Sequence, residues 1–222
     1  MKYIEKQREP QELINWKNQA NSDWKPTYDK LDSFVKQAIK QSLMAEQGYI
    51  CCYCENALSD NDSHIEHFQP QSDPYVDSLD FSNLLCSCQN DLKKGEPRHC
   101  GTLKDNWFDE TQLISPLDST CEKRFAFTAD GSIKPANNDD QGAVTTIEKL
   151  GLNIPKLREL RQKAIETFID PDLTEDLSDE EIGEFVKEYL EPDDLGHFSS
   201  FWTTIRYLFG EYLNSINYIS DF

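Results

Sequence analysis

Six of the seven cysteines lie between Cys51 and Cys100, and the apolar residues of this stretch follow neither helical nor strand spacing. A segment so rich in cysteine, histidine, proline and aspartate needs a source of stability other than a large apolar core. The first residues are charged and lack the apolar core of a signal peptide, and no stretch reaches the roughly 20 apolar residues of a membrane span. We expect a cytoplasmic protein, in which clustered thiols act as metal ligands rather than as disulfides.

The spacing of the cysteines predicts one four-thiolate zinc site. Cys51 and Cys54 form a Cys-x-x-Cys knuckle, which lets two thiolates reach one tetrahedral ion from a tight turn. We predict that Cys88 and Cys100 complete the site, with residues 89–99 as a loop between them. Cys86 lies only two residues before Cys88, and this spacing suits a buried strand better than a second knuckle. Whether Cys86 takes the place of Cys88 or Cys100 as a ligand stays open. A set of small buried residues and a Cys-x-x-Cys redox pair are the alternatives.

A candidate catalytic segment, His64-Ile65-Glu66-His67, lies between the two halves of the predicted zinc site. Phosphodiester hydrolysis needs an activated water, and a neutral histidine such as His67 can accept its proton. A carboxylate such as Glu66 can hold a divalent ion against the phosphate. Asn83 can hydrogen-bond the backbone of the loop that carries His67, or reach the metal. His64 would share a face with Glu66 on an extended strand, either as a hydrogen-bonding residue or as a metal ligand.

The order of these motifs resembles an HNH endonuclease with a ββα-metal core. The matching motifs are Cys-x-x-Cys, Glu-His-x-x-Pro, Asn-Leu-Leu-x-Ser-Cys and Cys-Gly-x-x-Lys. They fall here on Cys51 and Cys54, Glu66-His67 with Pro70, Asn83 with Cys88, and Cys100-Gly101 with Lys104. The stretch from 64 to 72 further resembles the HNH nucleases of retron and Septu anti-phage systems, the PtuB-like group. This similarity spans roughly residues 1–135.

The resemblance implies a role for each matching residue. His67 would be the general base, Glu66 would bind a catalytic Mg²⁺, and Asn83 would support the loop with His67. Cys51, Cys54, Cys88 and Cys100 would hold structural Zn²⁺. HNH proteins often carry Asn or His directly after the last cysteine, where this chain has Gly101. The second ligand of the catalytic ion therefore stays open among Asn83, Thr102 and His99.

We predict an α+β protein in which a small zinc-stapled ββα-metal core is flanked by helices. Apolar residues at helical spacing from residue 31 to 44, after a possible N-cap at Thr27, predict an N-terminal helical region over 1–47. The HNH core over 48–135 ends in a β-hairpin around Asp130-Gly131. An acidic helical region over 136–222, with a capping box at Ser178 and Glu181, is predicted to dock a partner. Its last helix would run from residue 201 to 216.

The charge of the chain argues against nucleic-acid binding by its whole surface. The net charge is -19, and residues 170–194 contain twelve acidic side chains against Lys187 alone. A partner would then supply the positive surface. The resemblance implies a PtuA-like ATPase and, in retrons, a reverse transcriptase with its RNA-DNA product, with the nuclease as toxic effector on DNA or RNA. The alternative is a catalytically inactive, zinc-stabilised binding module. The local basic cluster near the motif, formed by Lys93, Lys94, Arg98, His99 and Lys104, either contacts phosphates or belongs to a solvated loop.

Overall fold

A computed structural model describes residues 1–170 and 176–216 of the chain. The described residues form seven α-helices and two antiparallel two-stranded sheets, so the predicted α+β class is confirmed. The strands are β1 Ser63–His67, β2 Leu84–Cys88, β3 Phe125–Phe127 and β4 Ile133–Pro135. The helices are α1 Gln11–Lys17, α2 Ser33–Glu46, α3 Cys100–Lys104, α4 Gln141–Lys149, α5 Pro155–Ile169, α6 Asp179–Leu190 and α7 Trp202–Phe209. Within these described ranges, no helix is long and apolar enough to cross a membrane.

The hairpin β1–β2, followed by α3, is the predicted ββα unit. Its register pairs Ser63 with Cys88 and His67 with Leu84. Every residue of β2 is buried, because the strand lies between two apolar clusters. Leu84 packs in the cluster formed with α2, whereas Leu85 packs in the cluster that contains the cysteine knuckle. Burial on both faces fixes the register, because a slip of one residue would exchange the two faces.

The predicted N-terminal helix is present as α2, but its predicted N-cap is wrong. Asp32, not Thr27, is the N-cap, and its carboxylate accepts a hydrogen bond from the Val35 backbone amide at 2.8 Å. Thr27 instead precedes a 3₁₀ helix, Tyr28–Lys30. An aspartate three residues before a free helical N–H competes well for the capping position, which moves the helix start.

The predicted hairpin around Asp130-Gly131 is present as β3–β4. Gly131 has φ +75°, and a Cβ built on it would lie 2.1 Å from the Arg158 carbonyl oxygen, so only glycine fits this turn. The Asp130 carboxylate accepts a hydrogen bond from the Ser132 backbone amide at 3.2 Å. This turn therefore seats the hairpin against α5.

The C-terminal region packs around its own apolar cluster. The capping box of Ser178 and Glu181 is present at the start of α6. The last predicted helix divides into α7 and a 3₁₀ helix, Gly210–Ile216, and Phe201 caps α7 with φ +60°. Part of the predicted acidic segment, residues 171–175, lies outside the described residues.

Glu55, the residue directly after the knuckle, forms a buried ion pair with Met1 and hydrogen bonds with α7. The Met1 amino group lies 2.5 Å from a Glu55 carboxylate oxygen, and the Thr203 backbone amide donates to the other oxygen at 2.7 Å. Burial alone would raise the pKa of Glu55, but the ammonium and the Thr203 hydrogen bonds hold it below its ordinary value. One apolar cluster also draws on all three predicted regions of the chain. The division into 1–47, 48–135 and 136–222 stays a prediction.

Candidate active site and metal-binding cluster

The structure brings four buried cysteines together: Cys51, Cys54, Cys88 and Cys100. They come from the knuckle, the end of β2 and the first position of α3, and their Sγ atoms all lie within 4.8 Å of one another. The Sγ atoms of Cys54 and Cys88 are 3.7 Å apart. Tetrahedral zinc with Zn–S bonds of about 2.3 Å needs a spacing of about 3.8 Å. The donor set and its spacing therefore fit a structural metal ion such as zinc.

Polar groups around the thiols complete this cluster. The buried His99 ring places Nδ1 3.2 Å from the Cys100 Sγ and 3.8 Å from that of Cys88. Burial raises the pKa of the Cys100 thiol. For Cys51, burial acts in the same direction, but hydrogen bonds with Cys100 and the other thiols hold its pKa well below the ordinary value. Four buried thiols cannot all ionise without a cation between them, which is the condition that a bound metal ion meets.

Cys86 lies outside the four-thiol cluster, as the sequence analysis preferred. It faces the apolar cluster under α2, and its backbone amide donates to the Gln47 side-chain oxygen at 2.7 Å. Burial raises the pKa of Cys86 to about 12, so it is a neutral thiol at physiological pH.

Glu66 and His67 lie on β1, and His67 is its last residue rather than part of a loop. The Glu66 carboxylate is buried, and its Oε1 atom accepts from the Tyr53 hydroxyl at 3.1 Å and pairs with Lys104 Nζ at 2.9 Å. Burial would raise the pKa of Glu66, but His64 and Lys104 outweigh this effect and lower it. Glu66 is therefore a preorganised carboxylate with one oxygen already engaged.

The ring of His67 is held in a single orientation. Its Nε2 atom lies 3.0 Å from the Ser78 carbonyl oxygen, and the ring packs edge-on against Tyr28 with centroids 4.6 Å apart. Because a carbonyl only accepts, Nε2 carries the hydrogen and Nδ1 keeps its lone pair. Burial lowers the pKa of His67 below its ordinary value, so the neutral form dominates at neutral pH.

Asn83 holds the segment that leaves His67. Its Oδ1 atom accepts from the Gln69 backbone amide at 2.8 Å, and its Nδ2 group donates to the Gln69 carbonyl at 2.9 Å. The Phe68 amide also donates to the Asn83 carbonyl at 3.0 Å. Asn83 was expected either to hydrogen-bond the backbone of the loop or to reach the metal, and these contacts correspond to the first role.

His64 and Glu66 converge over the first turn of α3. The His64 Nε2 and Glu66 Oε2 atoms are 3.6 Å apart. A Cβ atom built on Gly101 would lie 2.4 Å from Glu66 Oε2 and 2.9 Å from His64 Nε2, so these two side chains occupy the space next to the glycine. Thr102 and His99, the other candidates for the second ligand of the catalytic ion, have different contacts. Thr102 donates to the Gln89 carbonyl, and His99 contacts the thiols.

Comparison with known proteins places this chain in a family. No protein-family model matches the chain. It is 32% identical over 142 residues to the "Retron Vc95 putative HNH endonuclease" of Vibrio cholerae serotype O1 biovar El Tor, which covers 61% of this chain and 67% of that protein. The chain belongs to the retron HNH endonucleases. It is also 26% identical over 212 residues to the "Retron Ec83 putative HNH endonuclease" of Escherichia coli, covering 76% of this chain and 80% of that protein. The predicted nuclease class and the retron context are thereby confirmed.

The predicted basic cluster of this retron HNH endonuclease needs correction. His99 and Lys104 are each 2% exposed, so neither belongs to a surface that meets phosphates. Lys104 is instead a buried part of the site. Its Nζ group pairs with Glu66 and donates to the His67 carbonyl at 3.1 Å. Lys93, Lys94 and Arg98 stay exposed in the loop before α3. Tyr53 was not predicted as a site residue, although its position inside the knuckle places it beside Glu66.

Proposed function

We propose that this retron HNH endonuclease hydrolyses phosphodiester bonds with His67 as the general base and a divalent ion at Glu66. The observation that carries the proposal is that consecutive residues of β1 supply a neutral imidazole, oriented through Nε2, and an ionised carboxylate. A base that is neutral at the working pH and held in one tautomer accepts a proton efficiently. Asn83, through its two hydrogen bonds to Gln69, would keep the segment after His67 in place.

In the proposed reaction, His67 Nδ1 takes a proton from a water molecule, and the resulting hydroxide attacks phosphorus. One P–O ester bond breaks, and the leaving oxygen takes up a proton from solvent. The Ser78 carbonyl and the Glu66 carboxylate stabilise the imidazolium that forms. A bound divalent ion supplies positive charge at the phosphate. The Glu66 carboxylate would hold this ion, and a carboxylate alone suits a hard ion such as Mg²⁺.

The biological role in this proposal is that of a toxic effector in a PtuB-like anti-phage complex. A net charge of -19 favours dependence on a partner that brings nucleic acid to the site. A PtuA-like ATPase, or the retron reverse transcriptase with its RNA-DNA product, would meet this need. The exposed side chains of Leu195, which follows the acidic helix α6, and Tyr207, on α7, offer apolar contacts for docking. The substrate is a nucleic acid, either DNA or RNA.

The decisive experiment is His67→Ala in the complex purified with its neighbouring gene products, followed by sequencing of the cleaved nucleic acid. Loss of a general base lowers the rate about 10²- to 10⁴-fold. His197→Ala is the matched control, because His197 is only partly buried and contacts Tyr49 and Asp193 instead of the site. Cleavage that persists at the wild-type rate in His67→Ala would show that another group is the base. A wild-type complex that binds nucleic acid but never cleaves it would favour the inactive binding module.

A further inference from the structure

We infer that the cleft next to the segment after His67 binds one unpaired nucleobase, which stacks on Tyr75 and carries an exocyclic amino group. The inference rests on the proposed function for its catalytic meaning and deepens it, because it names the kind of strand that the site accepts. The substrate would be a single strand, or a duplex from which one base has been turned out. Its physical content is a binding preference, which can be measured without cleavage.

Tyr75 displays an aromatic ring to solvent from an ordered turn. Among the described residues, it is the most exposed of the large hydrophobic side chains, at 96%. Its backbone amide donates to the Asp73 carboxylate at 2.9 Å, and the Val76 amide donates to the Asp73 carbonyl at 3.1 Å. A tyrosine on a fixed backbone loses little conformational freedom when a flat ligand stacks on its ring. The turn therefore offers a stacking platform.

The loop that carries Tyr75 begins and ends at the proposed general base. It leaves β1 directly after His67 and returns at Ser78, whose carbonyl oxygen lies 3.0 Å from His67 Nε2. The Ser78 hydroxyl accepts from the Tyr28 amide at 3.3 Å, and the Tyr28 ring packs against the imidazole. A base bound by this loop would therefore belong to a nucleotide near the scissile phosphate.

A cleft of about 340 Å³ lies between this loop and the segment after His67. This volume falls within the range of roughly 300–1,000 Å³ that is usual for small-ligand sites. Phe68 and Gln69 line it together with Tyr75. Asn83 engages only the backbone of Gln69, so the Gln69 side-chain amide has no hydrogen-bond partner among the described residues. An amide of this kind can both donate to and accept from the edge of a base.

The charge of the lining favours a base over a phosphate. The described residues that line the cleft include Asp77 and Asp80 but no lysine or arginine. The Leu79 amide engages Oδ1 of Asp77, and the Ser82 amide engages Oδ1 of Asp80, each at 2.9 Å. Each Oδ2 atom has no partner in the described part of the chain. A carboxylate repels a phosphate, but it accepts from the amino groups of adenine, cytosine and guanine, which thymine and uracil lack.

Stacking on Tyr75 also decides the form of the strand. A base inside a duplex has no free face, so only an unpaired or turned-out base can lie on the ring. Stacking and amino-group hydrogen bonds need no cation on the protein. They would therefore give substrate contacts that a chain with a net charge of -19 can supply by itself.

The test is fluorescence anisotropy of labelled single strands, with the His67→Ala complex purified with its neighbouring gene products as parent. Strands of about ten nucleotides fit the usual site size. Cytosine strands should bind at least about fivefold more tightly than thymine strands. Tyr75→Ala should weaken the binding of cytosine strands about 5- to 100-fold, as for the loss of one stacked base, whereas Tyr75→Phe should retain it. Asp77→Asn combined with Asp80→Asn should reduce the preference for cytosine but keep binding.

Phe34→Ala is the matched control, because Phe34 is an exposed aromatic residue outside the cleft, and it should bind as the parent does. Equal affinity for cytosine and thymine strands, or unchanged binding in Tyr75→Ala, would overturn the inference. Loss of the partner proteins from Tyr75→Ala would mark Tyr75 as a protein contact and overturn it too. The proposed reaction fails separately: a wild-type complex that binds through Tyr75 but cleaves nothing retains the base site and rejects the reaction.

Discussion

Substitution of Gly101 by alanine has two opposing effects on stability, a gain in helix propensity and a clash with the packed side chains of the site. In an ordinary helix, Gly→Ala stabilises the protein by up to about 1 kcal/mol. Here the added Cβ would lie 2.4 Å from Glu66 Oε2, about 1 Å inside ordinary contact. The carboxylate must rotate away, which strains the hydrogen bonds of Oε1 with Tyr53 and Lys104. Gly101→Ala should therefore destabilise the protein, whereas Gly→Ala in an ordinary helix stabilises it.

The magnitude follows from the bonds that would be lost. One buried hydrogen bond to a charged group contributes about 1.5–3 kcal/mol. After the gain in helix propensity, Gly101→Ala should lower the free energy of unfolding by about 1–2 kcal/mol. For a chain of this size, that corresponds to a fall in Tm of about 2–8 °C.

Thermal unfolding of zinc-loaded protein measures this prediction, with Gly210→Ala as the matched control. Gly210 has φ −60°, and the nearest atom to a built Cβ is Arg206 Cγ at 3.8 Å, so alanine should be neutral or stabilising there. If Gly101→Ala raises Tm as the control does, Glu66 does not lie against α3 and the geometry of the site is wrong.

Three further predictions concern metal content, pH and capping. Cys100→Ser should lose the metal ion and Cys86→Ser should keep it, as elemental analysis would show; the reverse pattern would contradict the chosen ligands. Glu55 has a pKa below its ordinary 4.5, so its pairing with Met1 stabilises the fold above that pH and fades as the pH falls through the lowered pKa. Glu55→Gln should therefore be less stable than wild type at pH 7, and urea titrations should show the gap closing as the pH falls below 4.5 and through the lowered pKa of Glu55. A gap independent of pH would exclude the ion pair as its cause. Asp140→Ala removes the N-cap of α4 and should cost about 1–2 kcal/mol in the same titrations, whereas an unchanged midpoint would mean that the cap is not formed.

The sequence predicted those parts of the site whose signals are local. A knuckle requires only four consecutive residues, so Cys51 and Cys54 were recognisable as a pair, and the spacing of Cys88 and Cys100 allowed one closed cluster. The capping box at Ser178 is local in the same sense. These predictions rest on the chemistry of the residues at fixed separations, which tertiary packing does not alter.

The parts that could not be predicted depend on burial. Lys104 looked like a phosphate-facing cation, but its ammonium lies inside the protein between Glu66 and the His67 carbonyl. Arg161 on α5 is a second buried cation, and it donates to the carbonyls of Gly131 and Leu152. No local pattern distinguishes a buried cation from a solvated one, because the partners are carbonyl groups brought in by other elements.

Tyr53 lies between the two cysteines of the knuckle and donates its hydroxyl hydrogen to the carboxylate of Glu66. An empty cysteine site would therefore weaken one of the two contacts that hold this carboxylate oxygen, the other being its ion pair with Lys104. A purified sample then consists of competent and incompetent molecules in the ratio of filled to empty cysteine sites. Specific activity should be expressed per mole of bound structural metal rather than per mole of protein, because preparations that differ only in metal loading would otherwise seem to differ in catalytic power.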